Sequence, residues 1–310
     1  MKKFCGSLAM LTATVLWGVA FSAQSAGMDH LGPWVFTTMR SVTGVLALLA
    51  VIMVFDLFRE KQLTLWGNAK TPEKRKFLLA GGCWCGLVLT AATVCQQTGL
   101  KYTTAGKTGF LTALYIVIVP VLGLFIKRKT RMNMWIGTVI ALGGAYLLCG
   151  SIGEINTGEW FVIACAVIYS LHILVIDHYA PKCDCVRLSC IQFTVVTILS
   201  TICSLIFREP WSCEAVTAAL PFWIFCGIGS SAIAFTLQMV AQKYLHPVTA
   251  TLLMSLESVF AVIGGWIFLH ENLSPRELAG CAVIFAGVIV SQIPARQPEN
   301  SAESCPESRH

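Results

Sequence analysis

Three ionisable side chains, Glu257, Arg40 and His172, fall inside long apolar stretches of a 310-residue chain. A charge at the centre of a membrane span costs ~2.5–3.5 kcal/mol on insertion scales, so such a group is paired, neutralised or wetted. Counted from Pro247 at ~1.5 Å per residue, Glu257 lies about 15 Å into its span, near the midplane. A carboxyl there can bind a solute or carry a proton; the alternative is a protonated carboxyl bonded to a neighbouring helix. Arg40 keeps its charge and therefore requires an anion, a carbonyl cluster or water. Pairing with Glu257, a lipid headgroup and solute contact all satisfy that requirement. His172 suits a proton relay or a hydrogen-bonded structural role. Lys107 lies close enough to the interface to snorkel out of the span.

Uncharged polar groups extend this set. Gln24, Gln96, Gln97, Gln192 and Gln238 fall in spans 1, 3, 7 and 8. Amides bond a solute without the cost of burying a charge, and they also bond helix to helix. Trp17, Tyr115 and Tyr169 offer flat aromatic walls, and Thr112 and Ser255 add hydroxyls beside them. These residues are the candidate solute pathway; no catalytic group is expected.

Several other chemistries are excluded by spacing. Gly106-Lys107-Thr108 imitates the end of a phosphate-binding loop, but the preceding Gly99 is misplaced and the segment opens an apolar run. HExxH, GxSxG and paired intramembrane aspartates are absent from the sequence, which argues against an enzyme. The 14 cysteines mostly occupy apolar runs, where the thiol behaves as a small hydrophobe. Cys83-x-Cys85 and Cys183-x-Cys185 lack zinc spacing and histidine partners. Neither cofactor nor metal is expected.

The elements that must position the polar groups are membrane spans. Hydrophobic residues make up 56% of the chain and charged ones 12%, against roughly 25% charged in soluble domains. Mean hydropathy is +0.72. Apolar runs near 4–26, 33–55, 77–99, 105–126, 132–151, 160–177, 187–207, 220–240, 247–269 and 278–293 give ten spans, each close to the ~20 residues a bilayer requires. The first run has a rival reading as a cleavable signal peptide, from Lys2, Lys3 and Ala23-x-Ser25; cleavage would leave nine spans. With both termini cytoplasmic, one face receives seventeen of the 22 Lys and Arg residues and the other Lys101, Arg208 and Arg276, while Arg40 and Lys107 lie within spans. That asymmetry follows the positive-inside rule, and it accounts for the net charge of +6 without nucleic acid.

The spans repeat. Gln96-x4-Lys101-Tyr102 returns as Gln238-x4-Lys243-Tyr244, and the register holds through Phe110/Leu252, Leu114/Leu256 and Tyr115/Glu257. After a one-residue slip it resumes at Gly137/Gly280 and Gly144/Gly287, and upstream Trp17 matches Tyr169 and Arg40 matches Gln192. Halves with odd span counts are inverted with respect to each other. The expected fold is an all-α integral membrane protein of ten transmembrane helices in two inverted five-helix repeats. Residues 1–151 form the first repeat, 152–293 the second and 294–310 a disordered cytoplasmic tail. Spans 5 and 10 carry small residues and read as packing helices, leaving spans 1–4 and 6–9 to enclose the polar path. Pro120 permits a kink in span 4.

Trp17-Gly18, Arg40, the run Gly99-Leu100-Lys101-Tyr102-Thr103-Thr104-Ala105-Gly106 into Phe110-Leu111-Thr112, Pro120, and Glu271-x-Leu273-Ser274 before Gly280 and Gly287 together resemble the EamA branch of the drug/metabolite transporter superfamily. The resemblance covers residues 4–293. It implies a ten-helix carrier working by alternating access, in a family where exporters of amino acids and other metabolites are common, with Glu271 as a helix-end or gate residue. It further implies residence in a bacterial inner membrane. Lys107 departs from the family's usual small or neutral residue; if it reaches the cavity, an anionic solute gains support. The expected function is secondary transport of a small organic metabolite, with export of an amino acid or related compound favoured. A channel or a non-transporting receptor or scaffold is the alternative. Expected partners are the small-molecule solute and membrane lipids, with a homodimer allowed and no nucleic acid.

Overall fold

Apolar runs of this length fold as helices because a bilayer leaves backbone N–H and C=O groups no other partner. The computed structural model describes residues 2–60, 64, 66–103, 105–125, 127, 130–149, 156–268 and 274–293. The spanning helices are α1 (Lys2–Met28), α2 (Pro33–Phe55), α3 (Pro72–Tyr102), α4 (Ala105–Thr112 then Tyr115–Phe125) and α5 (Met132–Cys149). The second half repeats them as α6 (Thr157–Tyr179), α7 (Cys185–Ile206), α8 (Leu220–Phe225, Cys226–Ala234 and Phe235–Gln242), α9 (Pro247–Met254 then Leu256–Phe268) and α10 (Pro275–Gln292). Among the described residues, eight helices are long and apolar enough to cross a membrane, and Met132–Leu147 is a shorter apolar helix. α10 completes the set, packed along α5. Glu271 and the 294–310 tail lie outside the described residues.

Local chemistry sets the helix starts. α2, α3, α9 and α10 open on proline, whose missing N–H costs nothing in a first turn. Capping boxes start α6, with Asn156 and Glu159, and α10, with Ser274 and Glu277. The start of α2 lacks a side-chain cap of its own; instead Glu209 Oε2 accepts from Trp34 N at 3.0 Å and Val35 N at 2.9 Å. Arg208, at φ 52°, turns the chain after α7 and brings Glu209 back to that point.

The packing is symmetric under exchange of the halves. α3 lies along α6 as α8 lies along α1, α3 also meets α7 as α8 meets α2, and α9 meets α1 as α4 meets α6. The pairs α2–α7, α4–α9 and α5–α10 are each their own counterpart. Five crossings separate equivalent helices, so the two bundles are inverted about an axis in the membrane plane. α4 and α9 are both interrupted, at 113–114 and at 255, and these are equivalent positions of the repeat. In α4 the bonds Leu114 N to Leu111 O, Ile116 N to Ala113 O and Val117 N to Leu114 O tighten the turn. Pro120 follows within the second segment, where its ring displaces the carbonyl four residues back. In α9, Ser255 Oγ bonds Leu252 O at 2.7 Å at the break.

Candidate functional site

The two helix breaks face one cavity. It is lined by Trp17, Gln24, Arg40, Gln96, Thr112, Tyr115, Tyr169, Ser230, Phe235, Gln238, Met254 and Glu257. The cavity volume is about 30 Å³, room for roughly two waters. Admitting a solute therefore requires the walls to part. Thr112 and Tyr115 flank the α4 break, and Met254 and Glu257 flank the α9 break. Both halves contribute to the lining, as in carriers whose midplane sites form at discontinuous helices.

A polar cluster forms part of the wall. Arg40 is 4% exposed, and its Nη1 donates to Gln24 Oε1 at 2.7 Å, Nη2 to Ser230 Oγ at 3.1 Å and Nε to Ser231 Oγ at 3.2 Å. Gln97 Nε2 donates to the same Gln24 oxygen. Successive serines reach one guanidinium because Cys226–Ala234 winds as a π-helix, a distortion frequent at functional sites. Aromatic rings form another wall. Trp17 meets Phe235 edge to face at 5.0 Å, and Phe235 also contacts Phe193 at 5.4 Å and His172 at 6.0 Å.

Nine of the thirteen sequence candidates line this cavity: Trp17, Gln24, Arg40, Gln96, Thr112, Tyr115, Tyr169, Gln238 and Glu257. The other four stand behind it. Gln97 supports Gln24, and Ser255 spends its hydroxyl on the α9 break. His172 and Gln192 bond each other, Nε2 to Oε1 at 2.9 Å, with Phe235 between His172 and the cavity wall. α7 supplies no lining residue, contrary to the expectation that spans 6–9 all enclose the path, because Gln192 is turned to His172. Arg40 and Glu257 form no ion pair with each other or with any other described residue. Lys107 does not line the cavity; its Nζ lies 2.8 Å from Glu159 Oε1. Sequence reading missed Ser230, Phe235 and Met254. Met254 was accessible as the repeat equivalent of Thr112, whereas the π-helix that presents Ser230 leaves no signature in composition.

A bundle of inverted halves around a cavity lined from both halves at paired helix breaks is the architecture of a membrane carrier. The model of the EamA-like transporter family matches residues 4–150 and again 156–292, so the chain belongs to that family and is a membrane transporter, not an enzyme. An uncharacterized transporter of Archaeoglobus fulgidus is 24% identical over 94% of this chain and 86% of its own length. A "Probable terminal-alkyne amino-acid exporter" of Streptantibioticus cattleyicolor is 23% identical over 94% of both chains. The threonine/homoserine exporter RhtA of Escherichia coli K12 is 32% identical over 113 residues, 35% of this chain and 38% of its own. A crystal structure with 19% sequence identity shares the fold at a TM-score of 0.74, covering 93% of this chain and 96% of the other.

Proposed function

We propose that this transporter is a secondary carrier that exports a small organic metabolite, an amino acid or a related compound, by alternating access. The observation that carries the reading is the cavity at the paired helix breaks, walled by both halves and too narrow to admit a solute without rearrangement. The exporter names of two relatives favour amino-acid-like solutes. The basic-residue asymmetry favours both termini on the cytoplasmic side, and membership of the transporter family favours a plasma (inner) membrane setting.

Counterflow in proteoliposomes tests this. Vesicles preloaded with unlabelled amino acid should accumulate labelled threonine or homoserine transiently, and Trp17→Ala should abolish the overshoot. A wild-type protein that equilibrates solute without trans-stimulation is a channel, and one that moves nothing across a broad metabolite panel is a receptor or scaffold.

A further inference from the structure

Arg40 is the permanently charged side chain on the cavity wall. It is buried, and its three partners, Gln24, Ser230 and Ser231, are all neutral. Ion pairs elsewhere in the molecule show the contrast. Arg187 bonds both oxygens of Asp56, at 2.6 and 2.8 Å, and Asp184 at 3.0 Å. Arg187 thus sits between two carboxylates, while Arg40, deeper in the bundle, has none among the described residues.

Arginine presents five N–H donors in a rigid fork. Three are used, which leaves one on each terminal nitrogen for a further acceptor. A guanidinium with a donor left on both terminal nitrogens can take a carboxylate across them, the strong and directional form of the interaction. The neutral partners hold the fork without cancelling its charge: Gln24 is fixed in turn by Gln97 and by Ala20 O, and the serines are fixed by the π-helix. Two further buried polar atoms at the cavity lack partners, Trp17 Nε1 and Gln238 Oε1. A buried donor without an acceptor is expensive, roughly 1–3 kcal/mol, and a solute that occupies the cavity relieves it.

We propose that Arg40 is an anion subsite that takes the carboxylate, or an equivalent anionic group, of the transported solute. Gln24, Ser230 and Ser231 act as positioning residues for the guanidinium, and Trp17 Nε1 supplies a further donor at the same cavity. The inference rests on the carrier reading and narrows it: the solute must carry an anionic group, and removing that group costs recognition.

The test uses purified full-length protein and a panel of L-amino acids, each paired with its carboxamide, in two readouts: thermal stabilisation in detergent and competition in counterflow. In the wild type the acids should act at ~10-fold or more lower concentration than the amides, as for loss of a charge-assisted hydrogen bond. Arg40→Gln should erase the acid-over-amide ratio, and Arg40→Lys should retain part of it. Because the ratio compares two ligands on one protein, a general loss of activity leaves it unchanged. Should Arg40→Gln not fold, Ser230→Ala with Ser231→Ala must lower the ratio by loosening the fork. Retention of the full ratio in Arg40→Gln, or in the double serine variant where that is the one that folds, overturns the proposal. Wild-type exchange limited to solutes without an anionic group leaves the carrier standing and removes the subsite. Failure of every acid and amide to exchange or stabilise removes both.

Discussion

Gln238 Nε2 lies 3.8 Å from Met254 Sδ, and the repeat-equivalent Gln96 Nε2 lies 3.3 Å from Thr112 Oγ1. Two pairs related only by the internal duplication thus make the same cross-helix contact on opposite sides of the cavity, with one chemical difference. Thr112 gives its glutamine a true acceptor, whereas a thioether is a weak one. Gln238 Oε1, moreover, has no partner.

Gln238 is therefore the amide free to serve the solute, and Gln96 is the one engaged in scaffold. Gln238→Leu should raise the apparent KM by roughly fivefold, the loss of one hydrogen bond of ~1 kcal/mol. It should leave the thermal midpoint in detergent near wild type. Gln96→Leu should lower the midpoint and raise KM less. Equal KM changes in the two variants would dissolve the distinction.

Glu257 is the one carboxyl on the cavity wall among the described residues, placed at the start of the second α9 segment without a salt bridge. If it carries a coupled proton, solute exchange in wild-type proteoliposomes depends on pH, and Glu257→Gln flattens that dependence while leaving exchange measurable. A mutant with the wild-type pH profile excludes Glu257 from coupling and favours uniport or exchange.

The ten spans, the repeat and most of the cavity wall were legible because a bilayer makes apolar length diagnostic and midplane polarity expensive. That cost explains why Arg40, Gln96 and Glu257 stood out. Orientation about the helix axis was not legible to the same degree. Gln97 and Gln192 are as polar and as deep as Gln96, but each faces a helix neighbour, and a single sequence with an all-apolar surround offers little periodicity to show which way a residue points. The α9 break was also hidden, because a serine bonding its own backbone leaves no mark in the sequence.

Lys107 and Glu159 join α4 of the first half to α6 of the second, on the face opposite the one where Asp56, the residue after α2, meets Arg187 of α7. Cross-half ties on both faces fit the narrow cavity, and opening either face requires one tie to yield. Lys107→Gln and Glu159→Gln should each alter turnover several-fold without changing solute preference, since Lys107 does not reach the cavity. The double variant should resemble the singles, a coupling of roughly 0.5–3 kcal/mol for residues in contact. A change in acid-over-amide preference on removing Lys107 would place its charge in the solute path instead.

α5 and α10 supply nothing to the cavity, and their role is tested by two glycines. A Cβ on Gly287 would lie 2.7 Å from Ala141 N and 2.8 Å from Gly137 O, both backbone atoms of the facing helix. Backbone cannot swing aside as a side chain can, so Gly287→Ala must push the helices apart. A cost of about 1–3 kcal/mol is expected for such overpacking. Gly143 lies on the same helix pair, but a Cβ there meets nothing within 4 Å. Gly143→Ala should be neutral or stabilising by up to ~1 kcal/mol, the helix-propensity difference between the two residues. Thermal unfolding of both variants in detergent measures the contrast. A Gly287→Ala protein as stable as Gly143→Ala would mean that α5 and α10 do not pack backbone to backbone, and that the halves are joined elsewhere.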